Sequence, residues 1–344
     1  MSAECRRLRA YLTHSPDAFA RYYGDEALAA LREVAEVRRN ETGRDLSGRE
    51  LAEAARGCEL IVSYRLSHAP AALFENAPDL VAFLRCAVDI RDVDVAAASA
   101  QGVLVTRATP GFVPAVAELV LGQMVDLARG ISAATERYHR GEVPEARIGR
   151  QLEGSTVGVI GYGAIGRRLA AMALALNMRV LVSDPHARAE DGRIAQVELP
   201  DLLAASDFVV CLAVANKEAE NLMDAAAFER MKRGAFFLNP GRGNLVDEAA
   251  LRAALDGGRL AGAALDVGRA PDQMPTPGLA AHPRVVATPH VGGLTPQATL
   301  HQAMDTVRQA RALAAGRLPD NAVNAEAAHR MARIGMAARG VSRA

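Results

Sequence analysis

Three side chains late in the sequence raise the question of chemistry. Arg242 stands in "NPGRGNLVDE", Asp266 in "ALDVG" and His290 in "TPHVGG", each just after a short apolar run. A guanidinium clamps a carboxylate through two parallel hydrogen bonds, and an imidazole exchanges a proton near neutral pH. With a nicotinamide as hydride carrier, this set matches hydride transfer at the carbonyl carbon of a 2-oxo acid. A second stretch supplies a place for such a carrier: "VGVIGYGAIGRRLA", residues 157–170, contains Gly161-x-Gly163-x-x-Gly166. Gly161 permits a tight turn, Gly163 lets main-chain amides approach a pyrophosphate, and Gly166 lets helix and strand pack closely. The helix behind the loop then offers unpaired N–H groups and its positive dipole end to the phosphates.

A glycine loop by itself is a weak signal, because glycine-rich turns are common. The order of its neighbours is stronger. Residues 157–160 read as a buried strand, residues 165–176 as a helix, and "RVLVS" as a second strand that ends in Asp184. Asp184 can accept both ribose hydroxyls of NAD and would repel a 2′-phosphate, which favours NAD over NADP. Arg188 nearby is the residue that argues the other way.

The elements that must position these groups are legible as a pattern. Short β-branched runs alternate with Ala/Leu-rich helical stretches, as in parallel sheets built from βαβ units. Five strand candidates come first: "RLRAYLTH", "AEVRRN", "ELIVSY", "LVAFLRCAV" and "GVLVTRA", with helices at 26–34 and 48–57 between them. A long helix is expected over 113–137, followed by the loose segment "RGEVPEARIG". From Thr156 a second series offers six strands: "TVGVIG", "RVLVSD", "DFVVCLAV", "GAFFLNPG", "LAGAALDVG" and "RVVATPH". Ligands of open α/β sheets bind outside the carboxyl ends of the strands, where Arg242, Asp266 and His290 fall. A last helix at 296–315 begins with Thr295 as cap and Pro296 in its first turn. Because it follows the final strand, it can pack back on the first domain and make that domain discontinuous.

The fold class expected is therefore α/β, with two doubly wound parallel-sheet domains. Residues 1–110 with 294–324 form the substrate domain, 111–293 the nucleotide-binding domain, and 325–344 a C-terminal extension. At 344 residues the chain has room for both cores. Basic and acidic residues number 40 each, so charge gives no reason to expect nucleic acid or an anionic membrane as partner. Cys5, Cys58, Cys86 and Cys211 lack CxxC or Cys/His spacing, which argues against a zinc site or disulfide scaffold and fits a reducing cytoplasm. No secretory signal is visible at the start, and the longest apolar stretch carries Glu118 and Asp126.

The motifs "VTRATPGFVPAVAELVLG", "LEGSTVGVIGYGAIG", "FFLNPGRGNLVDEAAL", "GAALDV" and "RVVATPHVGG" together resemble the D-isomer-specific 2-hydroxyacid dehydrogenase family over about residues 60 to 324. The resemblance implies a flavodoxin-like substrate domain, a Rossmann NAD domain, an active site in the cleft between them and a homodimer. It implies that Arg242 binds the substrate carboxylate and that His290 is the acid/base. Ala164 and Ile165 would touch the pyrophosphate, Ala213, Pro240 and Asp266 would lie along the nicotinamide half of NAD, and Gly292 would also bind the cofactor. The substrate loop would include Val88 and Asp89, with Arg65 where some relatives bind a second anionic group. The other seven histidines have no comparable context.

Two positions depart from the family pattern. A glutamate that pairs with the histidine usually stands five residues beyond the aspartate of the LDV motif; here Pro271 occupies that place. Asp272, one residue later, is the nearest carboxylate, and Gln273 offers a neutral hydrogen bond instead. The usual "GxDNID"-like substrate loop reads "AVDIRDVD", with Asp89 where a glycine would be. The missing glutamate motivates an alternative, an NAD(H)-sensing binding protein with weakened catalysis. A dehydrogenase of a one-carbon or inorganic acid ranks lower, since the substrate loop does not match. The chain stops soon after "LPDNAVN", so no regulatory domain is expected.

Overall fold

A computed structural model of the chain describes residues 7–335. Cys5 and the last part of the expected C-terminal extension lie outside them. The chain divides into two compact units: Met1–Gly111 with Pro296–Ala344, and Phe112–Thr295.

The first unit is a five-stranded parallel sheet of order β2-β1-β3-β4-β5. Its strands are β1 (Leu8–Leu12), β2 (Ala35–Arg39), β3 (Leu60–Ser63), β4 (Ala82–Arg85) and β5 (Leu104–Thr106), each within one of the apolar runs named above. Side chains alternate between the sheet's faces, and both faces are apolar because helices cover both. Leu8, Ala10, Leu12, Leu60, Val62 and Leu84 pack with Leu28 and Leu31 of helix Gly24–Val34 and with Val307 and Ala310 of helix Pro296–Ala314. Tyr11, Ile61 and Phe83 point the other way, onto Leu51 of helix Gly48–Ala54 and Leu73 and Phe74 of helix Ala71–Asn76. The return of helix Pro296–Ala314 makes this unit discontinuous in sequence. The residues after it stay with the unit: Asn324 accepts from Val105 N and donates to Val103 O, and Arg330 donates to the carbonyls of Ala77 and Leu80.

The second unit holds seven parallel strands in the order β12-β11-β10-β9-β6-β7-β8. They are β6 (Thr156–Ile160), β7 (Arg179–Ser183), β8 (Ile194–Gln196), β9 (Phe208–Cys211), β10 (Ala235–Asn239), β11 (Leu260–Leu265) and β12 (Val285–Ala287). Six strands were expected; β8 is the addition, and its three residues are too few for a period of two to register. The order reverses between β6 and β9, the point at which such sheets open a crevice. The helix expected over 113–137 is two helices, Val113–Arg129 and Ile131–His139. Gly130 divides them at φ 68°, a left-handed residue that ends the first helix. Asp126 then accepts from Ser132 N at 2.8 Å and starts the second. No described helix is long and apolar enough to cross a membrane.

Candidate functional site

The glycine loop joins β6 to helix Ala164–Ala175, with Gly163 at the helix cap. Gly161 has φ 94°, and a Cβ there would lie 2.4 Å from the carbonyl oxygen of Leu212. A Cβ on Gly166 would lie 2.3 Å from the carbonyl oxygen of Gly161. Both positions therefore demand glycine for packing, and the first brings the loop against Leu212 and Ala213 behind β9. Gly163 is different: nothing lies within 4 Å of a Cβ there. That open space, at the N-terminus of a twelve-residue helix, has the room and the free amides that a pyrophosphate needs. Ala164 and Ile165 form the helix's first positions.

Asp184 follows β7 and accepts three main-chain N–H groups, from Tyr162 (2.7 Å), His186 (2.8 Å) and Ala187 (2.8 Å). Partial burial alone would raise its pKa, but these donors outweigh burial and hold it below the ordinary value. It stays a carboxylate at neutral pH, tied to the glycine loop through Tyr162. The loop and Asp184 fit a dinucleotide.

The expected catalytic groups sit on the same sheet edge. Arg242 lies behind β10, where Asn239 shapes the turn by donating to the Arg242 carbonyl and accepting from Gly241 N. Pro240 is buried in that turn. A Cβ on Gly243 would fall 2.0 Å from the carbonyl oxygen of Gly268, so the Arg242 loop rests directly on the loop behind β11. That second loop carries Pro271, Asp272 and Gln273.

Asp266 directly follows β11 and is 2% exposed. Its carboxylate accepts from Thr288 Oγ1 (2.6 Å), Val291 N (2.9 Å) and Gly292 N (2.8 Å), and its carbonyl accepts from His290 N (3.0 Å). Through these contacts Asp266 grips the histidine loop on both sides of His290.

The ring of His290 finds its partner in the neighbouring loop. Nδ1 donates to the main-chain oxygen of Asp272 at 2.7 Å. The atom of Asp272 that meets this ring nitrogen is its main-chain oxygen. Because that oxygen has no proton to give, Nδ1 keeps its hydrogen in both charge states, and Nε2 is the nitrogen that gains and loses one. The geometry needs an uncommon backbone. Among the described residues, six non-glycine positions have positive φ; three are asparagines, which tolerate it, and the others are Asp272 (56°), Gln273 (56°) and His290 (54°). Strained residues gather where surrounding structure over-determines them. Here Glu248 supplies part of that restraint, accepting from Arg269 N and from Thr276 Oγ1 on the two sides of the loop.

In the first unit, the substrate-loop candidates lie behind β3 and β4. Arg65 stands 5.6 Å above the ring of Tyr22. Val88 is partly exposed. The Asp89 carboxylate accepts from Arg91, at 3.0 Å from its main-chain N and 2.5 Å from its guanidinium, so its charge is answered within the loop. Burial pushes the Cys86 and Cys211 thiols up to about 12, which makes them packing groups.

Several residues escaped the sequence reading. Arg85 is buried at the end of β4 with its guanidinium fully engaged; an arginine inside the apolar run "LVAFLRCAV" was the available signal. Glu248 left no signal, because an acid in the first turn of a helix is ordinary. His14 is fully buried between Tyr23 and Tyr64, with no hydrogen-bond partner for either ring nitrogen among the described residues.

Residues 121–292 match the family description "D-isomer specific 2-hydroxyacid dehydrogenase, NAD binding domain". D-3-phosphoglycerate dehydrogenase of Methanocaldococcus jannaschii is 32% identical over 305 residues, 87% of this chain and 57% of that protein. The (S)-sulfolactate dehydrogenase of Chromohalobacter salexigens is 34% identical over 279 residues, 80% of this chain and 90% of that protein. A solved structure from Thermus thermophilus superposes with TM-score 0.79 at 30% identity, covering 92% of this chain and all of that one. The chain thus spans little more than half of the archaeal phosphoglycerate dehydrogenase and nearly all of the sulfolactate enzyme. The seven-stranded unit is an NAD-binding domain, and the chain belongs to the D-isomer specific 2-hydroxyacid dehydrogenase family.

Proposed function

We propose that the protein is an NAD-dependent oxidoreductase that interconverts a small D-2-hydroxy acid and its 2-oxo acid. The observation that carries this reading is the hydrogen bond from His290 Nδ1 to the Asp272 carbonyl, which leaves Nε2 as a proton donor on the sheet edge that also bears Arg242 and the glycine loop. Bound NADH supplies a hydride to the carbonyl carbon. Protonated His290 gives its Nε2 proton to the carbonyl oxygen as charge develops there, and Arg242 holds the carboxylate and polarises the carbonyl. In the reverse direction neutral His290 takes the hydroxyl proton. Asp266 acts on the histidine loop, and Asp184 with Gly161, Gly163 and Gly166 holds the dinucleotide and discriminates against a 2′-phosphate.

Two relatives are named for hydroxy acids with a second anionic group, a phosphate and a sulfonate. Arg65 beside Tyr22 supports a substrate of that class, its carboxylate end taken by the main-chain amides of the loop at Val88 and Asp89. A homodimer fits the exposed apolar side chains of the segment after Gly130, with Ile131 at 51%, Tyr138 at 62%, Val143 at 81% and Ile148 fully exposed. A cytoplasmic setting, without nucleic acid or membrane as partner, fits the balanced charge and the free buried thiols of Cys58, Cys86 and Cys211.

The test is a panel of glyoxylate, hydroxypyruvate, pyruvate, 2-oxoglutarate and phosphohydroxypyruvate with NADH, run on wild type and His290→Asn. Turnover on at least one acid should fall by about 10²- to 10⁴-fold in the variant, the usual worth of a positioned acid/base, with NADH binding kept. No turnover alongside tight NADH binding would mark an NAD(H)-sensing protein instead.

A further inference from the structure

Arg85 ends β4 with its side chain 2% exposed. Its guanidinium donates to the carbonyls of Tyr64 (2.9 Å), Arg65 (2.6 Å) and Ser67 (3.0 Å) and to Ser63 Oγ (3.2 Å), all at the end of β3 or just behind it. On the other side Nε donates to the Asp89 carbonyl at 3.3 Å, and the Asp92 carboxylate lies 3.6 Å away. One side chain thereby ties the loop behind β3 to the loop behind β4. β3 and β4 are neighbours, with Ser63 paired to Arg85.

The physics favours a fixed arrangement. A buried charge is tolerated only where its donors are satisfied, and a guanidinium carries five N–H groups in a rigid planar fork. Here oxygens from two loops meet that fork, so neither loop can shift without stranding a buried donor. In the loop behind β4, Val88 N–H makes no hydrogen bond to another described residue, which leaves it available as a donor.

We infer that Arg85 is the positioning residue for the substrate's carboxylate end, holding the main chain of residues 64–67 against that of 88–92. It acts through those loops and touches no reactant. The inference rests on the 2-oxo acid reading above, and it names a part of the site which that reading leaves open.

Lysine keeps the charge but loses the fork, so Arg85→Lys in the full chain separates the two properties. Expected is a KM for the 2-oxo acid raised about tenfold or more, the scale of one or two misplaced hydrogen bonds. The NADH KM and kcat should stay within about threefold, inside the scatter of such effects. Amide hydrogen exchange should quicken in residues 64–67 and 86–92 while the β1 and β3 amides keep their protection. An unchanged KM, or a loss shared equally by NADH and the acid, would overturn the inference. Should Arg85→Lys not accumulate as folded protein, Ser63→Ala removes one acceptor and should move KM and exchange the same way by a smaller factor; no movement there overturns it equally. Exchange is read without turnover. A wild type that reduces no 2-oxo acid would therefore sink the proposed activity, while unchanged exchange would sink the role of Arg85.

Discussion

His290 Nδ1 lies 2.7 Å from the main-chain carbonyl oxygen of Asp272, so a main-chain dipole orients the proposed acid/base. An orienting carbonyl fixes the tautomer as well as a carboxylate does, but it stabilises the imidazolium less.

That difference predicts the effect of a new carboxylate at position 271, in the loop whose carbonyl meets the ring. A carboxylate within a few Å raises a histidine pKa by about 1–3 units. Reduction needs the protonated ring, so its rate falls as pH rises through that pKa. Pro271→Glu should move this falling limb to higher pH by about one unit or more, and Pro271→Gln should not. Superimposable pH–rate profiles for the two variants would show that the side chain at 271 does not reach the ring.

Contact between the Arg242 and Gly268 loops leads to a second expectation. A Cβ on Gly243 would sit 2.0 Å from a main-chain oxygen, so Gly243→Ala must push the two loops apart. Misplacement of about 1 Å costs on the order of 10²-fold in rate. Turnover should fall on that scale, with NADH binding less affected. Gly278→Ala, with nothing within 4 Å of the added methyl, is the matched control.

Cofactor choice tests Asp184. Its pKa is held below the ordinary value by three main-chain donors, so it carries full negative charge at neutral pH. Asp184→Asn keeps an acceptor for the loop and removes the charge. The ratio of kcat/KM for NADH over NADPH should drop about tenfold or more, which corresponds to about 1.4 kcal/mol of lost discrimination. A ratio near one in the wild type would remove Asp184 as the selector.

His14 makes stability depend on pH. Burial, followed by the nearby Arg85 and Arg39 charges, lowers its pKa from 6.5 to about 3. Between these values the unfolded chain binds a proton that the folded chain does not. Stability contributed by neutral His14 is therefore complete above pH 6.5 and is lost as pH falls toward 3. The slope approaches about 1.4 kcal/mol per pH unit. Denaturant midpoints of wild type and His14→Phe should diverge in slope across this window; parallel curves would show that His14 is protonated in the folded state.

Much of the architecture was legible because it is written in local periods. The strands that carry the two cores are short and mostly apolar, and β3, β4, β5, β6, β9 and β10 are buried at every position. The glycine loop and Asp184 were legible because turn, helix start and strand end must follow one another in chain order. β8 and the break at Gly130 were not: the first is too short to show a period, and the second is one glycine in a stretch that otherwise reads as a single helix.

What the sequence determined alone is therefore the two sheets, the glycine loop between strand and helix and which residue types stand at the strand ends, since each depends on spacing within one segment. Tertiary structure alone decided the partners. The carbonyl that meets His290 lies 18 residues upstream, and the oxygens around Arg85 come from two loops. Such contacts form between segments whose separation is set by the packed sheet, and local spacing holds no record of them.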